Sequence, residues 1–190
     1  MFRITSVILV SLTLLGCSHF DTPRKSEIQP GHSFVLNQAV EITPGSTRRF
    51  IQQGKFTTRS GFDRQQQHCR IEVRTLSEQS QIIQPDRFEI TRVRFDSERI
   101  AETRPVMLAS NIRLGIGFSF GTQLGFNNDA PPETMELIAM DLYSEHQPDV
   151  MRLVCAGSLS DGHPIDYPHN LRPGLHQIKL ILGEIGQLEL

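Results

Sequence analysis

Tryptophan is absent from this sequence of 190 residues, and tyrosine occurs only twice. Grooves that bind sugars or peptides often depend on large amphipathic aromatic side chains, so the composition does not indicate such a groove. An excess of basic residues is missing too, because 19 Lys and Arg stand against 21 Asp and Glu, a formal net charge of −2. The composition therefore gives no sign of a nucleic-acid-binding surface.

A hydrophobic run long enough to cross a bilayer is also missing. The run from Ile4 to Leu15 has about 12 residues, whereas a transmembrane helix needs roughly 20. Motifs that carry chemistry are scarce: the sequence has no HExxH zinc motif, and Gly115 and Gly117 are not followed by the third glycine of a dinucleotide-binding loop. We therefore predict that the chain is not an enzyme and uses no cofactor.

The first 17 residues combine a basic start, a short apolar core and a small residue before a cysteine. Arg3 precedes the apolar run, which closes with Leu14, Leu15, Gly16 and Cys17. A basic start followed by a short apolar core and a small residue is typical of an export signal. The last four residues resemble the lipobox of bacterial lipoproteins, from which Leu15 departs by being bulkier than the usual residue there.

This resemblance implies cleavage before Cys17, so that residues 1–16 are a signal peptide, and acylation of Cys17 with fatty chains such as palmitate. Ser18, which stands where sorted enteric lipoproteins of the inner membrane carry aspartate, implies the outer membrane. Residues 17–32 are polar and include two prolines, which predicts a flexible tether. Residues 33–190 are then one β-rich domain at the periplasmic face. The alternative is an ordinary cleaved signal, with Cys17 incidental.

Two further cysteines, Cys69 and Cys155, form an even pair. In an oxidising compartment the expected fate of such a pair is a disulfide. A redox-active or metal-binding pair is the alternative, but the spacing is not that of a CxxC motif. We predict a structural disulfide.

Alternating apolar and polar residues predict a mainly β fold. A strand over 34–42 and a second over 49–53 are predicted to form a hairpin around the turn at 43–46. Residues 54–67 are predicted to be a loop. Further strands are predicted over 69–73 and over 88–95, the latter with a bulge near Thr91 and Arg92 or with both faces partly covered. The segments 135–143 and 150–156 are predicted to form a hairpin, and the first of them is apolar on both parities, which predicts a strand covered on both sides. The spacing of apolar residues from Leu175 to Leu182 predicts a helix, and Gly183 suits the position just past its end. Together these elements favour an antiparallel β-sandwich-like domain with one short C-terminal helix.

The segment 112–126 alternates large apolar residues with glycine, serine and arginine. A run this apolar must be covered. One interpretation is a core strand or a hairpin over the domain's own sheet, and the other is an exposed arm that binds a partner or touches the membrane surface. In the second case the candidate interaction residues are Phe118, Phe120 and Phe126.

The segment 161–169 holds two aspartates and two histidines. Carboxylate and neutral imidazole are ligands that zinc accepts, but the two prolines hinder convergence, and a surface loop of turns is the main interpretation. The weak candidates for a metal site are His163, Asp166 and His169. Ser158 and Ser160 precede them, but neighbours in sequence do not make a catalytic triad, whose members meet through the fold.

These observations predict a non-enzymatic lipoprotein of the outer membrane that acts as an interaction or assembly module. Its expected partners are the membrane, through the lipid anchor, and an envelope protein, with no nucleic acid. An accessory lipoprotein of a secretion or envelope machine is an alternative that rests on analogy of fold alone. A metal-binding or hydrolytic lipoprotein that uses residues 161–169 is the second class. The oligomeric state is left open.

Overall fold

The structure is a computed structural model that describes residues 27–58, 60–99 and 133–190. These ranges contain ten strands and one α-helix, α1 (Leu175–Leu182), besides two 3-10 turns. The strands are β1 (Ser33–Leu36), β2 (Val40–Ile42), β3 (Arg48–Gln52), β4 (Lys55–Thr57), β5 (His68–Val73), β6 (Gln81–Ile83), β7 (Asp86–Arg99), β8 (Thr134–Tyr143), β9 (Val150–Ala156) and β10 (Gly186–Glu189). The predicted mainly β, antiparallel fold with one short C-terminal helix is confirmed.

Eight of these strands form one curled antiparallel sheet in the order β10-β1-β7-β8-β9-β5-β3-β4. The remaining two, β2 and β6, pair with each other in a small second sheet. Helix α1 contacts β3 and β5 near one edge of the large sheet and β10 at the other. The large sheet therefore curls around the helix, and the helix with the small sheet forms the second layer.

The main core lies between these two layers. It takes the inward side chains of the large sheet, such as Phe34, Ile71 and Leu153, together with Ile42 from the small sheet and Ile178 from the helix. The opposite face of the sheet carries a smaller apolar cluster: Met135, Leu137, Ala139, Val154 and Ala156. Strand β8 is thus apolar on both parities because both of its faces are covered, as its sequence predicted.

Helix α1 forms where the spacing of apolar residues predicted it. Ile178, Ile181 and Leu182 are its buried residues and share one face, which packs onto the core. The helix ends at Gly183, whose φ of +54° lies in the region that glycine adopts most readily. Glycine just past a helix is a common stop signal because it lacks the Cβ that penalises this conformation.

The two long strands confirm a second local prediction. The register between β7 and β8 shifts between Ile90 and Arg92, so Thr91 is the extra residue of a β-bulge. Strands β8 and β9 pair as the predicted hairpin.

The first predicted hairpin is wrong. The stretch 34–42 is not one strand but two, because β1 pairs with β10 and β7 while β2 leaves for the small sheet. Asn37 and Gln38 stand at this departure, where both side-chain amides donate to the carbonyl of Glu184. Strand β3 pairs with β4 and β5 instead.

Strand β4 was missed by the sequence pattern, which predicted a loop there. It forms a two-residue hairpin with β3, since Gln52 pairs with Lys55 and both Gln53 and Gly54 have positive φ. Two central residues with positive φ match the twist of the flanking strands.

The boundary of the predicted tether needs correction. Ile28 is buried in the main core, and the amide of Gly31 donates to the carbonyl of Ile90 while His32 accepts from the amide of Ile90. Residues 28–32 therefore belong to the domain, which begins before residue 33. In the described ranges no helix is long and apolar enough to cross a membrane.

Candidate functional site

A groove of about 670 Å³ opens beside β3. We call it the arginine groove, because Arg48, Arg49 and Arg64 line it. Hydroxyl groups supply much of the remaining wall, from Thr43, Ser46, Thr47, Thr57, Thr58 and Ser60. The groove therefore combines guanidinium groups and hydroxyls on one surface.

Local structure explains why this groove stays open. Strand β4 pairs with β3 only from Phe50 to Gln52, so Arg48 and Arg49 have a described strand partner on the β5 side alone. A turn closes the neighbouring wall, where the amide of Ser46 donates to the carbonyl of Thr43 at 3.1 Å. Among the described residues, nothing pairs with the outer edge of β3 between the turn and the end of β4.

Arg49 is the half-buried cation of the groove. Its guanidinium carbon lies 5.9 Å from the centre of the Phe56 ring, within the range of a cation–π contact. Its Nε is buried and has no hydrogen-bond partner among the described residues. A buried N–H donor without an acceptor is costly, so this atom marks a position where an acceptor would stabilise the protein.

The charged side chains that line the groove are all positive. Its described lining contains no carboxylate, and none of the ion pairs in the described part of the chain involves Arg48, Arg49 or Arg64. In a chain with a formal net charge of −2, the groove is a local concentration of positive charge.

A second pocket, of about 430 Å³, contains the residues that sequence analysis singled out as weak metal ligands. His163, Asp166 and His169 all line it, as do Ser158 and Ser160. These residues, which are close in sequence, therefore line the same pocket in the structure. The described residues nevertheless contain no group of three His, Cys, Asp or Glu side chains that could hold a metal ion.

Hydrogen bonds within the loop engage the polar atoms of this second pocket. Ser160 Oγ donates to Asp166 Oδ2 at 2.7 Å, and the amide of Ile165 donates to His163 Nδ1 at 3.3 Å. Asp161 accepts from the amide of His163. These bonds stabilise a 3-10 turn, and the serine hydroxyl bonds to a carboxylate rather than to an imidazole, the group that would activate it as a nucleophile.

Sequence reasoning passed over one motif. Residues 117–121 read Gly-Phe-Ser-Phe-Gly, which matches the Gly-x-Ser-x-Gly spacing of a nucleophile elbow. Such an elbow requires a strand before the serine and a helix after it. The motif, with Ser119 at its centre, lies outside the described residues.

A buried ion network lies on the sheet face opposite the main core. Glu72 accepts from Arg70 Nε at 2.6 Å through one carboxylate oxygen and from Arg152 Nε at 2.7 Å through the other. Arg70 also donates to Glu98 at 2.7 Å. Burial works to raise the pKa of Glu72, but the hydrogen bonds and charges of Arg70 and Arg152 outweigh it and lower that pKa below its usual value. Glu72 is therefore ionised, and both of its oxygens are paired.

The network also spans several strands of the sheet. Arg70 is on β5 and Glu98 on β7, with β9 and β8 between them. Strands lie about 4.8 Å apart, so three steps across a flat sheet would separate these backbones by about 14 Å. The contact of 2.7 Å between Nη2 of Arg70 and Oε2 of Glu98 therefore spans β9 and β8 and joins the outer end of β7 to β5 on this face.

His68 is a second buried titratable group on this face, with none of its surface exposed. Its ring lies 4.8 Å from the centre of Phe62 and 5.8 Å from that of Phe50, and its Nε2 has no hydrogen-bond partner in the described ranges. Burial lowers the pKa of His68 to about 4, and the charge of Arg70 acts in the same direction. The imidazole is therefore neutral at pH 7.

The predicted disulfide is confirmed. Cys69 and Cys155 are bonded, and they are directly paired neighbours on β5 and β9 within the main core. Four of the predicted site residues lie outside the described residues: Cys17, Phe118, Phe120 and Phe126.

Comparison with known proteins adds no relative. No family model, no curated protein and no solved structure matches this chain.

Proposed function

We propose that this chain is a lipoprotein anchored through Cys17 to the outer membrane, with a β domain that works at the periplasmic face as a non-enzymatic interaction or assembly module. The observation that carries this proposal is the Cys69–Cys155 disulfide. Disulfides form and persist in oxidising compartments such as the bacterial periplasm. An exported domain is also what the lipobox-like residues at Leu14–Cys17 imply.

The arginine groove supports a binding role. It is open, lined by guanidinium and hydroxyl groups, and holds a buried donor that lacks an acceptor among the described residues. Such a surface suits recognition of a partner or ligand by charge-assisted hydrogen bonds.

Metabolic labelling with palmitate tests the anchor. The wild-type protein and the control Ser18→Ala should incorporate label, whereas Cys17→Ala should not, because it lacks the thiol that is acylated. Ser18→Asp should stay labelled but move to the inner-membrane fraction. Equal labelling of the wild type and Cys17→Ala would refute the anchor.

Crosslinking in intact cells followed by mass spectrometry tests the assembly role. Arg99 and Thr134 are paired at the end of the β7–β8 hairpin, and the candidate residues Phe118 and Phe120 lie between them in the chain. We expect the double variant Phe118→Ser, Phe120→Ser to lose its crosslinked envelope partner while its melting temperature stays unchanged. A large fall in melting temperature would instead mark both residues as core. If the crosslinked partners are components of a secretion or envelope machine, the chain is an accessory lipoprotein of that machine.

A metal-binding or hydrolytic role that uses residues 161–169 is the second candidate, because His163, Asp166 and Ser160 line one pocket, although the described residues form no group of three metal ligands. Metal analysis of the purified protein distinguishes the two classes. Stoichiometric zinc that disappears in His163→Ala would overturn the non-enzymatic proposal, as would esterase activity that disappears in Ser160→Ala or Ser119→Ala.

A further inference from the structure

The arginine groove has a composition that favours one class of ligand. We propose that it binds a phosphate group, carried either by free phosphate or by the headgroup of a lipid. This inference rests on the binding role proposed above. It does not depend on the lipid anchor, so the labelling experiment can fail while this one succeeds.

Three cations line the groove, and they come from two separate segments of the chain. Consecutive residues of a strand point to opposite faces, so Arg48 and Arg49 reach the groove from the two sides of the β3 edge. Arg48 and Arg49 come from β3, and Arg64 comes from the loop that follows β4. Arg48 and Arg64 are exposed, and no described carboxylate in the lining competes for them. Arginine presents a planar fork of N–H donors that matches the oxygens of phosphate in pairs.

The unpartnered Nε of Arg49 is an independent observation. This donor is buried, without a hydrogen-bond partner in the described ranges, on a side chain that lines the groove. The atom itself is not exposed, so a phosphate oxygen would supply the missing acceptor once the half-buried side chain turns its Nε toward the groove. Because the bond would be charge-assisted, it is worth more than a neutral hydrogen bond.

The rest of the lining favours phosphate over an acidic peptide. Thr57 donates its hydroxyl to the carbonyl of Thr58, and the hydroxyls of Thr58 and Ser60 bond to each other. One hydroxyl hydrogen of that second pair is left to donate to a phosphate oxygen. Among the described lining residues Leu76 alone has an apolar side chain. A peptide strand bound at a sheet edge gains specificity from pockets for its side chains, and a lining with a single apolar side chain provides few such pockets.

Isothermal titration calorimetry of the full-length protein in detergent tests the proposal. The probes are inorganic pyrophosphate, glycerol 3-phosphate as a headgroup without acyl chains, and an aspartate-rich hexapeptide. The variants are Arg49→Gln, Arg49→Lys and Arg64→Gln. The control is Lys55→Gln, which removes one exposed positive charge outside the described lining of the groove.

We expect wild type to bind at least one phosphate probe, and Arg49→Gln and Arg64→Gln each to weaken that binding about tenfold, as the loss of a charge-assisted bond implies. Arg49→Lys should weaken it too, because lysine keeps the charge but has no Nε. Lys55→Gln should change it less than about twofold, as an exposed charge outside the groove is screened. Tighter binding of pyrophosphate indicates a free-phosphate ligand, and tighter binding of glycerol 3-phosphate indicates a headgroup.

Three results would overturn the proposal: no binding of either phosphate probe, an equal loss in Lys55→Gln, or tighter binding of the acidic peptide than of both phosphates. Arg64 is exposed, so Arg64→Gln keeps the test valid even if removing the Arg49–Phe56 contact prevents folding. Far-UV circular dichroism of each variant checks that the fold is intact.

Discussion

At the scale of single residues, the alternation of apolar and polar residues does not predict which charged and titratable side chains are buried. In β5, Arg70 and Glu72 alternate with Cys69, Ile71 and Val73, a pattern that predicts a strand with one face in water. The structure buries both faces: Arg70 is 6% and Glu72 4% exposed. The reason is tertiary, since the acceptor of Arg70 on β7 and the second donor to Glu72 on β9 come from distant parts of the chain.

Stability should fall in mild acid because of His68. The unfolded chain protonates this imidazole near pH 6.5, but the folded chain does so only near pH 4, since burial disfavours the charge. Unfolding therefore takes up a proton between these values, and stability is lost as the pH falls through that window. Between pH 7 and pH 5 the loss from this one group should be about 2 kcal/mol.

Urea unfolding at pH 7 and pH 5 measures this loss. His68→Leu should remove the His68 contribution, so that its two free energies of unfolding differ by about 2 kcal/mol less than those of wild type. The control His176→Gln, on the exposed face of α1, should keep the wild-type dependence. An unchanged pH dependence in His68→Leu would contradict the assignment. The lowered pKa of Glu72 affects stability mainly below pH 5, where the unfolded carboxylate takes up its proton, and so contributes little between pH 7 and pH 5.

At the scale of elements, local signals predicted those elements whose bonds are local. The bulge in β7 follows from a change of phase in that strand's own alternation. The β8–β9 hairpin follows from a short connection, and the end of α1 follows from one glycine, Gly183. The predicted pairing of 34–42 with 49–53 failed because nothing local decides it. The chain departs at Asn37 toward the carbonyl of Glu184, a residue from the other end of the sequence.

Gly183, at the end of α1, lies against the β3–β4 turn, and we expect that it does not tolerate a side chain. Its φ is +54°, and a Cβ there would lie 2.8 Å from the Cα of Gly54 in the β3–β4 turn, whose amide donates to Ile181 at the end of α1. Gly31 is the matched control, because its φ is +93° and a Cβ added there would meet no atom within 4 Å among the described residues.

Urea unfolding of the two alanine variants separates backbone strain from crowding. Gly31→Ala should lose about 1 kcal/mol, the cost of placing alanine at positive φ. Gly183→Ala should lose about 1–3 kcal/mol more, because backbone atoms must shift to admit the carbon. Equal losses would show that the helix and the turn can move apart freely.

At the scale of the whole molecule, the two ends of the described chain interleave in one sheet. β10, from the C-terminus, pairs with β1, from the start of the domain, while β9 pairs with β5 across a separation of 86 residues at the disulfide. We expect the Cys69–Cys155 bond to contribute about 4 kcal/mol to stability, because it restricts a long loop in the unfolded chain.

The double variant Cys69→Ala, Cys155→Ala tests this expectation by urea unfolding at pH 7. Its free energy of unfolding should fall by about 4 kcal/mol, whereas Cys17→Ala, which removes a cysteine outside the bridge, should match wild type. A loss below about 1 kcal/mol would mean that the bridge constrains little in the unfolded chain.

The sequence by itself determined the local elements and the bridge: period-two alternation for the strands, apolar spacing and a terminal glycine for the helix, and an even cysteine pair for the disulfide. Only the tertiary structure decided which strands pair, that Arg70 and Glu72 are buried, and that Arg48, Arg49 and Arg64 share one groove. The physical reason is range. Alternation and turn residues act between near neighbours, while strand order, burial of charge and the meeting of cations depend on contacts between segments that the sequence keeps far apart.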